Sequence, residues 1–236
     1  MKIVCVGAHQ DDEMHCLGTL LRYRQRGDEV AFICVTNGER GASWDPAASL
    51  ADIAALRHRE MGQVAAALEA EYICLEQADG FVFDTPQLRL AMIEALRRVR
   101  AELIFTHWSS DYIPDHTETC RLVEYAALYA QIDSVATASP ALERAPAIFH
   151  MHPGDGYGFE PTHFVELDDA TLVEKLRVLR LHASQMAVMR SLRGHDYADI
   201  MEADARRQGH RVMRSFAEAF RPSLLERRTP LANLLP

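Results

Sequence analysis

Residues 1–21 read MKIVCVGAHQDDEMHCLGTLL, and the join between their two halves decides the fold. A run that is apolar throughout, Ile3-Val4-Cys5-Val6, stops at His9-Gln10-Asp11-Asp12-Glu13, one imidazole and three carboxylates within five residues. A strand without polar alternation is buried on both faces, as in a parallel sheet. Carboxylates so crowded repel one another, and they stay together where something positive neutralises them.

The same alternation continues down the chain. Strands are expected at 2–7, 29–36, 72–75, 102–107 and 147–151, with a further one in THFVEL after Pro161. Between them lie helical stretches at about 14–27, closed by Gly27, at about 50–70, after Pro86 and after Asp115. Two last helices are expected at about 168–189 and 197–219, and RRTPLANLLP as a loosely held tail. Buried strands separated by helices give an α/β, doubly wound, mostly parallel sheet, Rossmann-like in the order 3-2-1-4-5, with helices on both faces. No repeat or linker interrupts it, so 1–236 reads as one domain with a C-terminal helical portion from about 168.

Composition narrows the function. The 236 residues are 48% hydrophobic, enough for a large core, and the formal charge of -9 argues against nucleic acid as a partner. The cysteines at 5, 16, 34, 74 and 120 form no C-x-x-C pair, which fits buried thiols in a reducing compartment. No signal peptide precedes the first strand and no apolar run approaches a bilayer span, so a soluble cytoplasmic protein without a membrane partner is expected. Homo-oligomerisation stays open.

Open parallel sheets bind ligands beyond the carboxyl ends of their strands. Four segments fall there: AHQDDE, TNGERG, DGFVFDT and THWSSDYIPDH. A dinucleotide site needs G-x-G-x-x-G in the first of them, but Gly7 stands alone and Asp11 and Asp12 would repel a phosphate. A Walker A loop is absent too. Carboxylate with imidazole suits a divalent metal instead. His9 and Asp12, three apart where strand turns into helix, can converge on one ion, and His116 beyond strand four is the candidate third ligand. Two imidazoles and one carboxylate leave a position open for water, and Asp11 is placed to take its proton. The competing explanation is capping, since acids are favoured in the first helical turn.

AHQDDE together with IPDH at 113–116 resembles the PIG-L/LmbE-type family of zinc-dependent N-acetylglucosaminyl deacetylases, whose pattern is A-H-P-D-D-E with a later H-P-D-H. TNGERG, Arg57 with Glu60, FEPTHFVEL, HASQ and FAEAF add to the likeness. The resemblance implies Zn2+ on His9, Asp12 and His116, Asp11 as general base and Asp115 as a carboxylate behind the ligands. It implies that Arg57 meets the sugar, against the alternative of a surface arginine paired with Glu60. Arg40 fits a polar substrate at the mouth, and Tyr112 is a candidate donor. Two positions depart from the pattern. Gln10 replaces proline, and Ile113 stands where the family often has a histidine that steadies the oxyanion or protonates the amine. His152, His163 and His182 are candidate stand-ins.

The expected activity is removal of an acetyl group from a small-molecule N-acetylated amino sugar or its conjugate. The alternatives are an amidase on a thiol-sugar conjugate or an antibiotic sugar, and a catalytically weak metal- or sugar-binding module.

Overall fold

The computed structural model describes residues 1–41, 47–154, 156 and 158–224. Seven strands form one sheet: β1 (Lys2–Gly7), β2 (Glu29–Thr36), β3 (Glu71–Gln77), β4 (Leu103–Thr106), β5 (Ala147–Met151), β6 (His163–Leu167) and β7 (Phe216–Pro222). Their order is β3-β2-β1-β4-β5-β7-β6. The first five are parallel, in the expected order 3-2-1-4-5, and β7 runs antiparallel to both β5 and β6. β1 pairs with β4 from Ile3↔Leu103 to Val6↔Thr106, so the loops that follow these strands open side by side.

The helices are α1 (Leu17–Arg26), α2 (Leu50–Ala67), α3 (Pro86–Arg98), α4 (Pro114–Tyr129), α5 (Asp169–Leu179), α6 (Ala183–Arg193) and α7 (Tyr197–Arg211). Successive strand residues point to opposite faces. Ile3 and Cys5 accordingly join a core with α1, α2, α5 and α7, while Val4 and Val6 join one with α3 and α4. Among the described residues no helix is long and apolar enough to cross a membrane.

Three expectations need correction. The first helix is preceded by a separate 3-10 turn, Asp12–His15, which carries the acidic cluster. The expected helix at 168–189 is two, α5 and α6, because His182 turns inward to Glu13 (Nε2 to Oε1 2.8 Å) and breaks the run. The expected helix at 197–219 ends at Arg211; Met213 takes a left-handed φ of 58° and the chain returns as β7. The portion beyond 168 is therefore not wholly helical.

Glu218 explains why β7 is a strand. Its carboxylate accepts from the backbone N–H groups of Gly18 and Thr19 (2.9 and 2.7 Å) and from Lys175 Nζ (2.7 Å). It caps the otherwise unpaired donors of the buried first turn of α1. RRTPLANLLP, residues 227–236, lies outside the described residues.

Candidate metal centre

Backbone geometry at the end of β1 gathers the charges. Asp11 has φ 134°, a left-handed value that costs a non-glycine residue strain and that persists where surroundings enforce it. Asp12 then begins the 3-10 turn, and its Oδ2 accepts from the His9 N–H at 2.6 Å. Gln10, where the family has proline, is fully buried and donates to the Thr36 carbonyl at 2.9 Å, tying this loop to β2.

His9, Asp12 and His116 come together, their donor atoms all within 4.8 Å of one another. His9 Nδ1 lies 3.6 Å from Asp12 Oδ2, and His116 Nε2 lies 3.3 Å from Asp12 Oδ1. The outer ring nitrogen of each histidine faces a carboxylate. His9 Nε2 is 3.3 Å from Asp79 and 3.5 Å from Asp115, and His116 Nδ1 is 3.0 Å from Asp111. Carboxylates behind imidazoles fix ring orientation and raise ligand basicity.

This arrangement fits a divalent ion. His116 Nε2 is buried and has no hydrogen-bond partner among the described residues, although it points at a carboxylate. Burial alone would lower the pKa of both histidines. Asp115, Asp12 and Asp79 instead hold His9 well above its ordinary value, and Asp12 and Asp111 push His116 up to about 9. Burial would raise the Asp12 carboxyl, but His116 and His107 hold it well below the usual carboxylate range. The cluster therefore calls for positive charge at its centre, which a metal supplies in place of protons.

Asp11 is beside the candidate ligands and separate from them. Its Oδ1 takes a hydrogen bond from Arg57 Nη2 at 2.8 Å. Burial pushes its carboxyl up to about 6, with Arg57 pulling the other way and Asp12 raising it further. A carboxylate near that value is suited to accept a proton at neutral pH.

Arg57 is 3% exposed and not paired with Glu60 on its own helix. It also donates to the carbonyls of Gly38 and Gln10. TNGERG makes room for it: a Cβ at Gly38 or Gly41 would stand 2.8 or 2.3 Å from its Nη1. Glu60 instead accepts from the N–H and hydroxyl of Ser184 (2.8 and 2.6 Å), joining α2 to α6.

The remaining sequence candidates divide. Asp115 accepts from the N–H groups of Gly80 and Val82 and so fixes the loop after β3. Arg40 lines the cavity, donates to the Asp79 carbonyl and to Glu39, and lies over the Phe81 ring at 4.9 Å. Tyr112 and Ile113 line the same cavity, Tyr112 being 59% exposed at its mouth. Of the three candidate stand-in histidines, His152 lines the cavity, His182 is buried against Glu13, and His163, on β6, packs edge-on to Phe149 of β5.

Sequence reasoning missed Asp79, Asp111 and His107. His107 is buried, stacked on His116 with ring centroids 3.9 Å apart, and its Nε2 is 3.0 Å from Asp12 Oδ2. Its own carbonyl accepts from His150 Nδ1 at 2.7 Å, which anchors the end of β4. All three residues stand in the four segments at the strand ends, which was the available signal.

Comparison with known proteins gives the family and the fold. The model of the PIG-L family, described as GlcNAc-PI de-N-acetylase, matches residues 4–127. A Bacillus anthracis protein named probable N-acetyl-alpha-D-glucosaminyl L-malate deacetylase 2 is 24% identical over 206 residues, 84% of this chain and 87% of its own. Among solved structures, N,N'-diacetylchitobiose deacetylase from Pyrococcus horikoshii superposes with a TM-score of 0.82 at 21% identity, covering 99% of this chain and 88% of that one. The 4-carboxy-2-hydroxymuconate hydratase from Pseudomonas putida KT2440 gives 0.83 at 19%, covering 98% and 99%, so the same backbone also carries a hydratase. With its family match spanning more than half of the residues and the strand-end cluster in place, the chain belongs to the PIG-L family of de-N-acetylases.

Proposed function

We propose that this protein hydrolyses the acetamide of an N-acetylated amino sugar or its conjugate, using zinc held by His9, Asp12 and His116. The observation that supports this most is the combination of an unpartnered, buried His116 Nε2 with a second carboxylate, Asp11, that no ligand position requires. A module that only binds metal has no need of that carboxylate.

When bound, a divalent ion here supplies Lewis acidity toward an amide carbonyl and makes water a nucleophile near neutral pH. The side chains do the rest. Asp11, held by Arg57, accepts the proton as water adds to the carbonyl carbon. When the C–N bond breaks, the amine needs a proton, and Ile113 carries none. Asp11, now protonated, returns it, and acetate and the free amino sugar leave. Arg57 acts through Asp11, since its two terminal nitrogens are engaged by two carbonyls and that carboxylate.

The experiment is acetate release over a panel of N-acetylated sugars with parallel metal analysis. Zinc-loaded protein should release acetate, and chelation or His116→Ala should abolish both zinc and turnover. Full zinc occupancy in H116A, or no acetate from any loaded sample, rejects the reading.

A further inference from the structure

The cavity that contains the metal cluster has a volume of about 480 Å³ and two chemically different sides. One side is formed by the loops after β1 to β4 and carries Asp11, Asp12, Asp79 and Asp111. The other is formed by α6, α7 and the end of β5. Its lining includes Met189 and Leu192 from α6, Tyr197, Ile200 and Met201 from α7, and Met151.

The cations near the cavity do not make it an anion site. Arg57 is buried and held by two carbonyls and Asp11, and Arg40 donates through Nη1 to Glu39 and the Asp79 carbonyl, so both stand on the loop side of the cavity. Arg193, exposed at the rim, is the remaining guanidinium among the described lining residues. Arg193 ends α6 at that rim, so a carboxylate or phosphate could find a counter-ion only at the solvent edge, and one set against Met189, Ile200 and Met201 would lose water without gaining any, which is costly. An apolar group there gains by burial, and flexible methionines adapt to its shape.

We propose that the α6–α7 side is a subsite for a neutral, apolar aglycone, an aryl or alkyl group carried by the amino sugar whose acetamide faces the metal cluster. The inference rests on the deacetylase reading for the identity of the sugar, while the subsite itself rests on the wall.

The test compares acetate release from 4-nitrophenyl and octyl N-acetylglucosaminides with that from free N-acetylglucosamine and from a carboxylate-bearing N-acetylglucosaminide. The two apolar glycosides should show a kcat/KM higher by about tenfold or more. Leu192→Asp, at a position 69% exposed and so outside the core, should erase most of that preference. Calorimetric binding of the deacetylated octyl and 4-nitrophenyl glucosaminides provides a readout independent of turnover. If the carboxylate-bearing probe is turned over as well as the apolar ones or better, the subsite is refuted and the deacetylase reading survives. If no probe releases acetate but the apolar glucosaminides bind and L192D abolishes binding, the deacetylase reading fails and the subsite stands. Absence of both preference and binding overturns it.

Discussion

The two sides of the cavity come from different stretches of the chain and obey different physics. The loops after β1 to β4 lie within the residues that match the family and hold six charged or imidazole groups in mutual register. The wall opposite them comes from β5, α6 and α7, beyond that match, and is mostly apolar. Electrostatic groups must be placed to within tenths of an ångström to be useful, whereas an apolar wall tolerates exchange of side chains of similar volume. On the proposed reading, chemistry and substrate choice are separated along the sequence.

The sharpest way to break that separation is Asp11→Asn. It should lower the turnover number by about 10²–10⁴-fold for every substrate, whatever the aglycone, while zinc content stays at wild type. A loss confined to some aglycones would mean that Asp11 also reads the substrate. Arg57→Ala comes next. Removing one partner of a buried ion pair costs about 3–5 kcal/mol, so denaturant unfolding should show a loss of that order. A loss within about 0.5 kcal/mol would instead place Arg57 among solvated surface arginines.

The smallest effect belongs to the seam between the two regions. His182, the N-terminal cap residue of α6, is bonded to Glu13 beside the metal cluster. Burial would lower its pKa, but Glu13 and Asp11 raise it above the ordinary value despite the opposing Arg57. A histidine raised in the folded state stabilises fully below its unfolded pKa of about 6.5 and loses that contribution as pH rises through the folded value. His182→Gln should therefore cost about 1–3 kcal/mol near pH 6, and the gap from wild type should narrow as the pH rises through the raised folded value. A gap that is constant with pH would show that the pair acts by packing alone.

The sequence exposes these regions unequally, and the reasons are physical. β1, β2 and β4 are legible because strands buried on both faces cannot alternate, so KIVCVG, EVAFICVT and ELIFTH have no other economical form. The same logic located His9, Asp12 and His116 at neighbouring strand ends. Asp79 and Asp111 lay in the strand-end segments but could not be singled out there, because each faces a histidine in a relation set by loop closure. Phe216-Ala217-Glu218-Ala219-Phe220 misled for another reason. Its glutamate and alanines suit a helix, and only the buried N-terminus of α1 gives Glu218 a reason to be in a strand. Arg57 and Glu60 sit at helical spacing, yet each finds its partner on another element.

The bond from Gly18 to Glu218 joins residues 200 positions apart in the sequence. On a ribosome the chain appears from its amino end, and domains fold as their parts emerge. The candidate metal ligands and α1 are synthesised long before residue 218, so the first turn of α1 must wait, its donors held by water, until the last strand arrives. Synthesis order thus sets a late checkpoint: a chain stopped short of β7 carries the whole ligand set but leaves open the helix that follows it. Such a fragment should be prone to capture by chaperones or proteases, which links assembly of this metal cluster to completion of the chain.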